Sequence, residues 1–231
     1  MSDINKLSYS LERTLKDSNL HSLTEEVGEV ALDSLLKEGV LKDLPIVGLI
    51  SGLTKTALNI QDQLFLKKII RFLTELSDTD SNERNRLITK IDESEEFEIK
   101  VGEKLLYIID KCDDHLSSEY VAKLFRSFLN EEIDYSEFLR GATIIQNIFS
   151  EDFKFFLSKK VEELEKEIEP TESISDVENN LVNAGLCVMI TDEIKVEDEW
   201  DRDMHQKYRV EGGSTIFYLT NIGYKIKQVL G

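Results

Sequence analysis

At 231 residues, 41% hydrophobic and 32% charged, the chain has the length and composition of a soluble globular protein with one large or two small domains. Its net charge of −18, with acid excess in both residues 1–170 (−13) and residues 171–231 (−5), excludes the basic footprint of an ordinary nucleic-acid binder. Two isolated cysteines, Cys112 and Cys187, cannot form a disulfide framework, and residues 1–6 carry no apolar stretch of a secretory signal, so the expected location is the cytoplasm.

The first part of the chain reads as a succession of amphipathic helices. Ile4, Leu7, Leu11 and Leu15 step by three and four residues and share one helical face. Leu20, Leu23, Val27, Val30 or Ala31, and Leu35 continue the pattern in a second helix, with Gly39 as its stop. Pro45 suits the first turn of a third, whose periodicity runs on through Leu58, Phe65, Ile69, Phe72 and Leu76. Gly48 and Gly52, followed by Thr56, put a stripe of small residues on this segment. Its uncharged run ends at Lys55, short of the roughly 20 residues that span a bilayer. Close packing inside a soluble domain is the expected role. A segment released to insert into a membrane or to dock a partner is the alternative.

Asp80 with Glu83, and Asp134 with Glu137, have the offset of a capping box. The first precedes a short helix bearing Leu87, Ile88 and Ile91. An acidic patch at 92–96 leads to a helix over 101–112. Ser117 or Ser118 is expected to cap the next helix, which carries Val121, Leu124, Phe125, Phe128 and Leu129. Phe138, Leu139, Ala142, Ile145 and Phe149 mark another. Phe153, Phe156, Leu157, Val161, Leu164 and Ile168 predict a last continuous helix, spaced to pack along a neighbour.

Several chemical motifs fail on their ligands. Residues 132–139 imitate the end of a calcium loop, but Arg126 and Phe128 would fall where oxygen ligands are required. His21, His115 and His205 lie far apart, and Asp110, Asp113, Asp114 and His115 read as a solvated helix end. Phosphate loops, nucleophile elbows and dinucleotide fingerprints are absent from the sequence. The expectation is a protein without enzymatic activity, metal or cofactor.

Pro170 marks the expected boundary between an all-helical domain, 1–169, and a small α+β domain, 170–231. In the latter a helix over 173–184 is followed by Gly185 and Leu186. A strand over 187–190, a long acidic insert over 191–213, a strand over 216–219 and a helix over 220–230 complete it. Leu181, Gly185 and Leu186, then Phe217, Leu219, Thr220, Gly223 and Ile226, resemble the closing pattern of winged-helix proteins of the bacterial MarR and PadR type. The resemblance covers about a quarter of the chain. It implies that Thr220 caps the final helix, that Gly223 lets that helix approach the sheet, that residues 173–184 form the recognition helix and that the insert forms a wing.

Where such helices contact phosphates through Lys and Arg, this one carries Asp176, Glu178, Asn179, Asn180 and Asn183 and no base. The insert has eight acids against four bases, with Lys207 and Arg209 near the wing tip. Trp200 lies among its acids, either folded onto the domain edge or serving as an interface anchor.

The expected fold is mainly α, a multi-helix domain followed by a winged-helix-like domain with an extended acidic hairpin. The expected function is protein–protein interaction or self-association in a regulatory role, with Trp200, Lys207, Arg209, Gly48 and Gly52 as candidate contact residues. Nucleic-acid and membrane binding are disfavoured. The alternatives are a winged-helix transcriptional regulator and a membrane-active effector of a bacterial stress or phage-defence type.

Overall fold

The computed structural model describes residues 3–18, 20, 44–53, 59–169, 172–200 and 206–231, and these hold eleven helices and five strands. The helix expected over residues 20–35 lies outside the described residues. Leu230 apart, the chain divides into two compact units between Gln146 and Asn147.

The first unit contains α1 (Asp3–Lys16), α2 (Pro45–Leu53), α3 (Ile60–Glu75), α4 (Ser81–Asp92), α5 (Val101–Lys111), α6 (His115–Leu129) and most of α7 (Tyr135–Asn147). Helix α1 packs on α2, α4 and α5, while α3 lies along α6. The predicted apolar stripes are what these contacts bury. Leu11 and Leu15 of α1, Ile46 of α2, Phe72 of α3 and Phe125 of α6 are inaccessible to solvent. Aromatic rings run through this core, with Phe125 5.9 Å from Phe72 and 5.2 Å from Phe138 between centroids.

Helix starts follow side-chain chemistry closely. The unbroken periodicity over 45–76 resolves into two helices, because Asn59 caps α3 by accepting the Asp62 amide at 2.8 Å. The Asp134–Glu137 box closes in both directions, at 2.8 and 2.9 Å. The Asp80–Glu83 box closes in one: Asp80 accepts the amides of Asn82 and Glu83, whereas the Glu83 carboxylate turns to Arg86. Helix α6 begins at His115 with Asp114 as its cap, not Ser117 or Ser118. The Asp114 carboxylate takes both the amide and the hydroxyl of Ser117, and the Ser118 hydroxyl donates to the carbonyl of Lys68.

The second unit contains α8 (Ser150–Ser158), α9 (Val161–Leu164), β1 (Lys166–Ile168), α10 (Asp176–Asn183), β2 (Cys187–Thr191), β3 (Lys195–Trp200), β4 (Gln206–Glu211), β5 (Thr215–Leu219) and α11 (Asn221–Leu230). Strands β1, β5 and β2 form an antiparallel sheet in that order, and β3 pairs with β4 in a separate hairpin. The continuous helix expected over 153–168 is therefore three elements. Lys159 and Lys160 are extended, α9 is one turn, and Lys166–Ile168 pairs with residues 215–217 of β5. That pairing also explains why the units part well before Pro170: β1 is a strand of the C-terminal sheet, and a helical apolar spacing of three and four concealed it.

Strands β2 and β5 and helix α11 lie where the sequence places them. Thr220 caps α11, accepting the Gly223 amide at 3.0 Å. A Cβ on Gly223 would collide with the carbonyl oxygen of Leu186, so only glycine permits this approach. Helix α10 ends with Gly185 at φ 83°, the left-handed residue that lets the amides of Gly185 and Leu186 return to the carbonyls of Val182 and Leu181. Phe156, Leu181, Leu186, Phe217 and Ile226 are the buried centre of this unit.

Candidate functional site

The sequence singled out helix α10 and the β3–β4 hairpin. Helix α10 opens on a complete capping box: Ser175 accepts the Glu178 amide, and Glu178 accepts the Ser175 amide at 2.8 Å. The Glu178 carboxylate also pairs with Lys166 at 2.6 Å; burial pushes its pKa up, but Lys166 and Ser175 outweigh burial and the net shift is downward. Asn180 is not free to hydrogen-bond a base edge, since its amide donates to Asp152 on α8 at 2.7 Å. The Asp152 carboxylate is itself buried, which gives this bond structural weight. No sequence spacing announces the Asp152–Asn180 contact, because the two residues meet only when α8 packs on α10.

The hairpin register sets the cross-strand positions of the candidate wing bases. Lys195 is paired with Glu211, Glu197 with Arg209 and Glu199 with Lys207. Positions two apart on a strand share a face. Positions 195, 197 and 199 thus share a face with 211, 209 and 207, and the register sets the positions of Lys207 and Arg209 across from glutamate positions. Arg209 is exposed. Trp200 ends β3 opposite Gln206; the side chains of Trp200 and Lys207 lie outside the described residues. On the other face position 196 pairs with 210, two valines, and Val196 is 59% exposed.

The remaining candidates lie in the first unit. Gly48 is half-buried in α2, and Ile46, Val47 and Ile50 of the same helix are buried. The Ile46 amide donates to the hydroxyl of Thr14 at 3.2 Å, so α1 supplies a cap for α2. Gly52 belongs to α2, and its side-chain surroundings lie outside the described residues. Among the described residues no helix is long and apolar enough to cross a membrane.

A charged cluster that sequence reasoning missed lies on the first unit. Arg86 holds Glu131 at 2.6 Å and Glu83 at 2.8 Å. Among the described residues Glu131 is the one non-glycine with positive φ, at 60°. It ends α6 as Gly185 ends α10, with the amides of Glu131 and Glu132 returning to Phe128 and Ser127. The sequence gives no sign of this, since glutamate occupies a position that normally selects glycine. Both cysteines are buried, and burial pushes each thiol up to about 12, which removes thiolate chemistry at neutral pH. No set of three or more His, Cys, Asp or Glu among the described residues could hold a metal ion.

No family model, curated protein or solved structure matches this chain.

Proposed function

We propose that this chain is a non-enzymatic, cytoplasmic protein-binding or regulatory protein, and that its second unit is a winged-helix-like module suited to docking proteins rather than reading DNA. The carrying observation is the hairpin register, which sets Lys207 and Arg209 opposite Glu199 and Glu197. A cation position set across from an acid contributes less to counterion release on DNA, and counterion release supplies most non-specific affinity. Helix α10 adds no base, and its Asn180 and Glu178 are committed within the unit. The sheet order and the hairpin between β2 and β5 support the winged-helix reading. One helix, α10, lies between β1 and β2 among the described residues, whereas a helix-turn-helix reader uses two.

The test is size-exclusion chromatography with light scattering, run alone and with a short DNA duplex at low salt. The expected result is no complex with the duplex. Glu197→Gln with Glu199→Gln leaves Lys207 and Arg209 without cross-strand acids and should raise duplex affinity in a salt-dependent way. Salt-sensitive binding by the unaltered protein, lost in Lys207→Ala with Arg209→Ala, overturns the reading in favour of a DNA-binding regulator.

A further inference from the structure

One register runs through both parts of the long hairpin in the second unit. Cys187–Thr191 of β2 pairs with Thr215–Leu219 of β5, and Lys195–Trp200 of β3 pairs with Gln206–Glu211 of β4. Residues 192–194 and 212–214 separate the two parts, an equal length on each side, so the register does not slip between them. Strand β1 covers residues 215–217 of β5 on its far side. The β2–β3 strand has no such cover: among the described residues it pairs on one side only.

Hydrogen bonds show which groups face that open edge. The Thr220 amide donates to the Leu186 carbonyl and the Asp192 amide to the Ser214 carbonyl, each at 3.0 Å. Backbone groups alternate in direction along an antiparallel strand. Even-numbered residues of β2 therefore point at β5, and the amides and carbonyls of Met189 and Thr191 point outward. Neither amide has a partner among the described residues.

Strand β2 also lacks the usual edge defences. Natural edges are blunted by charge, proline or a bulge, and residues 187–191 carry no charge and no proline. Ile190 and its cross-strand partner Ile216 are exposed, with Val188 and Tyr218 half-buried on the same face. Beyond β2 the chemistry changes. Every residue from Thr191 to Glu197 is exposed, and residues 192–200 hold Asp192, Glu193, Glu197, Asp198 and Glu199 against the single base Lys195.

We infer that the β2–β3 edge accepts an added strand from a basic partner. The partner segment is extended and antiparallel, with lysine or arginine beside residues 192–199 and β-branched residues beside β2. Main-chain bonds to Met189 and Thr191 hold it, and its apolar side chains extend the face of Val188 and Ile190. Charge complementarity selects it. A second copy of this chain is the poorer occupant, because pairing whole edges sets acids against acids and each copy carries −18. The inference rests on the docking function proposed above and names the partner's chemistry.

The probe is a synthetic peptide, alternating lysine and threonine and then valine and threonine, titrated into the full chain by calorimetry and amide NMR. Saturable one-to-one binding is expected, with slowed hydrogen exchange at the Met189 and Thr191 amides. With its valines beside Val188 and Ile190, the peptide's threonines lie opposite Met189 and Thr191 and exchange the hydrogen bonds. N-methylation of those threonines should weaken binding about tenfold, the loss of one or two net hydrogen bonds, while N-methylation of the valines should not. Glutamate in place of the peptide's lysines should abolish binding. Glu193→Gln with Glu197→Gln changes two exposed acids and should weaken binding about threefold at low salt. Thr191→Pro removes one outward amide at an edge position that tolerates proline, and should weaken binding with melting near that of the parent. The inference is overturned by absent binding, by equal weakening from the two methylations, or by a dimer of the unaltered chain that Thr191→Pro dissolves. Duplex binding would overturn the docking reading instead, and it is read in a separate titration, so the two failures are distinguishable.

Discussion

Arg84 offers the sharpest test of how the first unit is held. It is 1% exposed, and among the described residues it forms no ion pair with a carboxylate. Its guanidinium instead gathers carbonyl oxygens from three segments. Nε donates to Leu15 at 2.8 Å, one terminal nitrogen to Asp17 at 2.9 Å, and the other to Leu76 at 3.3 Å and to both oxygens of Thr79. These are the end of α1, the end of α3 and the turn that leads into α4. Desolvation lowers the Arg84 pKa, and Asp80 and Asp17 oppose that shift through space, so the cation persists.

Arg84→Met keeps an apolar stem and deletes every donor. The carbonyls of Leu76 and Asp17 keep amide donors, from Thr79 and Leu20. Those of Leu15 and Thr79 have no other donor among the described residues. Two orphaned carbonyls at about 1–3 kcal/mol each, less the relief of no longer burying a cation, give a net loss of about 3 kcal/mol. Arg84→Lys retains charge but reaches fewer carbonyls, and about half that loss is expected. Urea unfolding followed by far-UV circular dichroism reads the difference, with hydrogen exchange in α1 and α3 locating it. An Arg84→Met protein within about 0.5 kcal/mol of the parent, the spread of inert surface changes, would refute the clamp.

Other consequences can be checked alongside. Glu131→Gly relieves a left-handed backbone at the end of α6 and gives up an exposed ion pair while Glu83 still holds Arg86; thermal melting should show a higher Tm, and a lower one would mean the pair matters more than the strain. Lys227→Met removes donors to the carbonyls of Phe156 (2.9 Å) and Leu157 (2.5 Å) at the end of α8, and a loss of about 1–2 kcal/mol in denaturant titration is expected. Desolvation, then Lys67, lower the His115 pKa below its ordinary value, so protonation disfavours the folded state; stability should be intact above pH 6.5 and fall slightly as the pH drops below it, read by melting above and below that point. Comparing melting at both pH values with His115→Gln isolates that slope, since the carboxylates whose pKa values are lowered titrate further down. Cys112 and Cys187 should resist thiol reagents at pH 8 until the protein is unfolded, and rapid native labelling would contradict their burial.

Much of the fold was legible because helix boundaries here are written in short-range chemistry. Asp80, Asp134 and Thr220 cap the helices that their spacing indicates, and the Gly185–Leu186 pair ends α10 as its type suggests. Failures came where periodicity was the only guide. Val161, Leu164 and Ile168 continue a helical spacing, yet Ile168 is buried as a strand residue because β5 offers its backbone a partner. Ser117 lost the cap of α6 to Asp114, which lies at the actual turn. At the candidate surface, the deficit of bases on α10 was visible, but setting Lys207 opposite Glu199 and Arg209 opposite Glu197 depends on hairpin register, which residue spacing alone does not fix. Arg84 and Glu131 were invisible for a related reason: each is distinctive through its surroundings, not its spacing.

The acid surplus gains a structural explanation from the same observations. A fold of many short helices has many N-terminal amides to satisfy, and carboxylates satisfy them well. Asp80, Asp92, Asp114 and Asp134 each accept amides at the start of a helix, and Glu137, Glu163 and Glu178 reach back to the amides that precede theirs. C-terminal carbonyls are served more economically. One guanidinium, Arg84, takes those of Leu15, Asp17 and Leu76 together with that of Thr79 in the following turn, while Lys227 takes two and Lys68 takes that of Asp110. Seven acids thus serve six of the eleven helix starts, while Arg84, Lys227 and Lys68 between them serve four helix ends, so part of the net charge of −18 follows from architecture. Net charge alone then says little about partners. The local arrangement decides, and on the strands of the hairpin the register sets Lys195, Lys207 and Arg209 opposite glutamate positions.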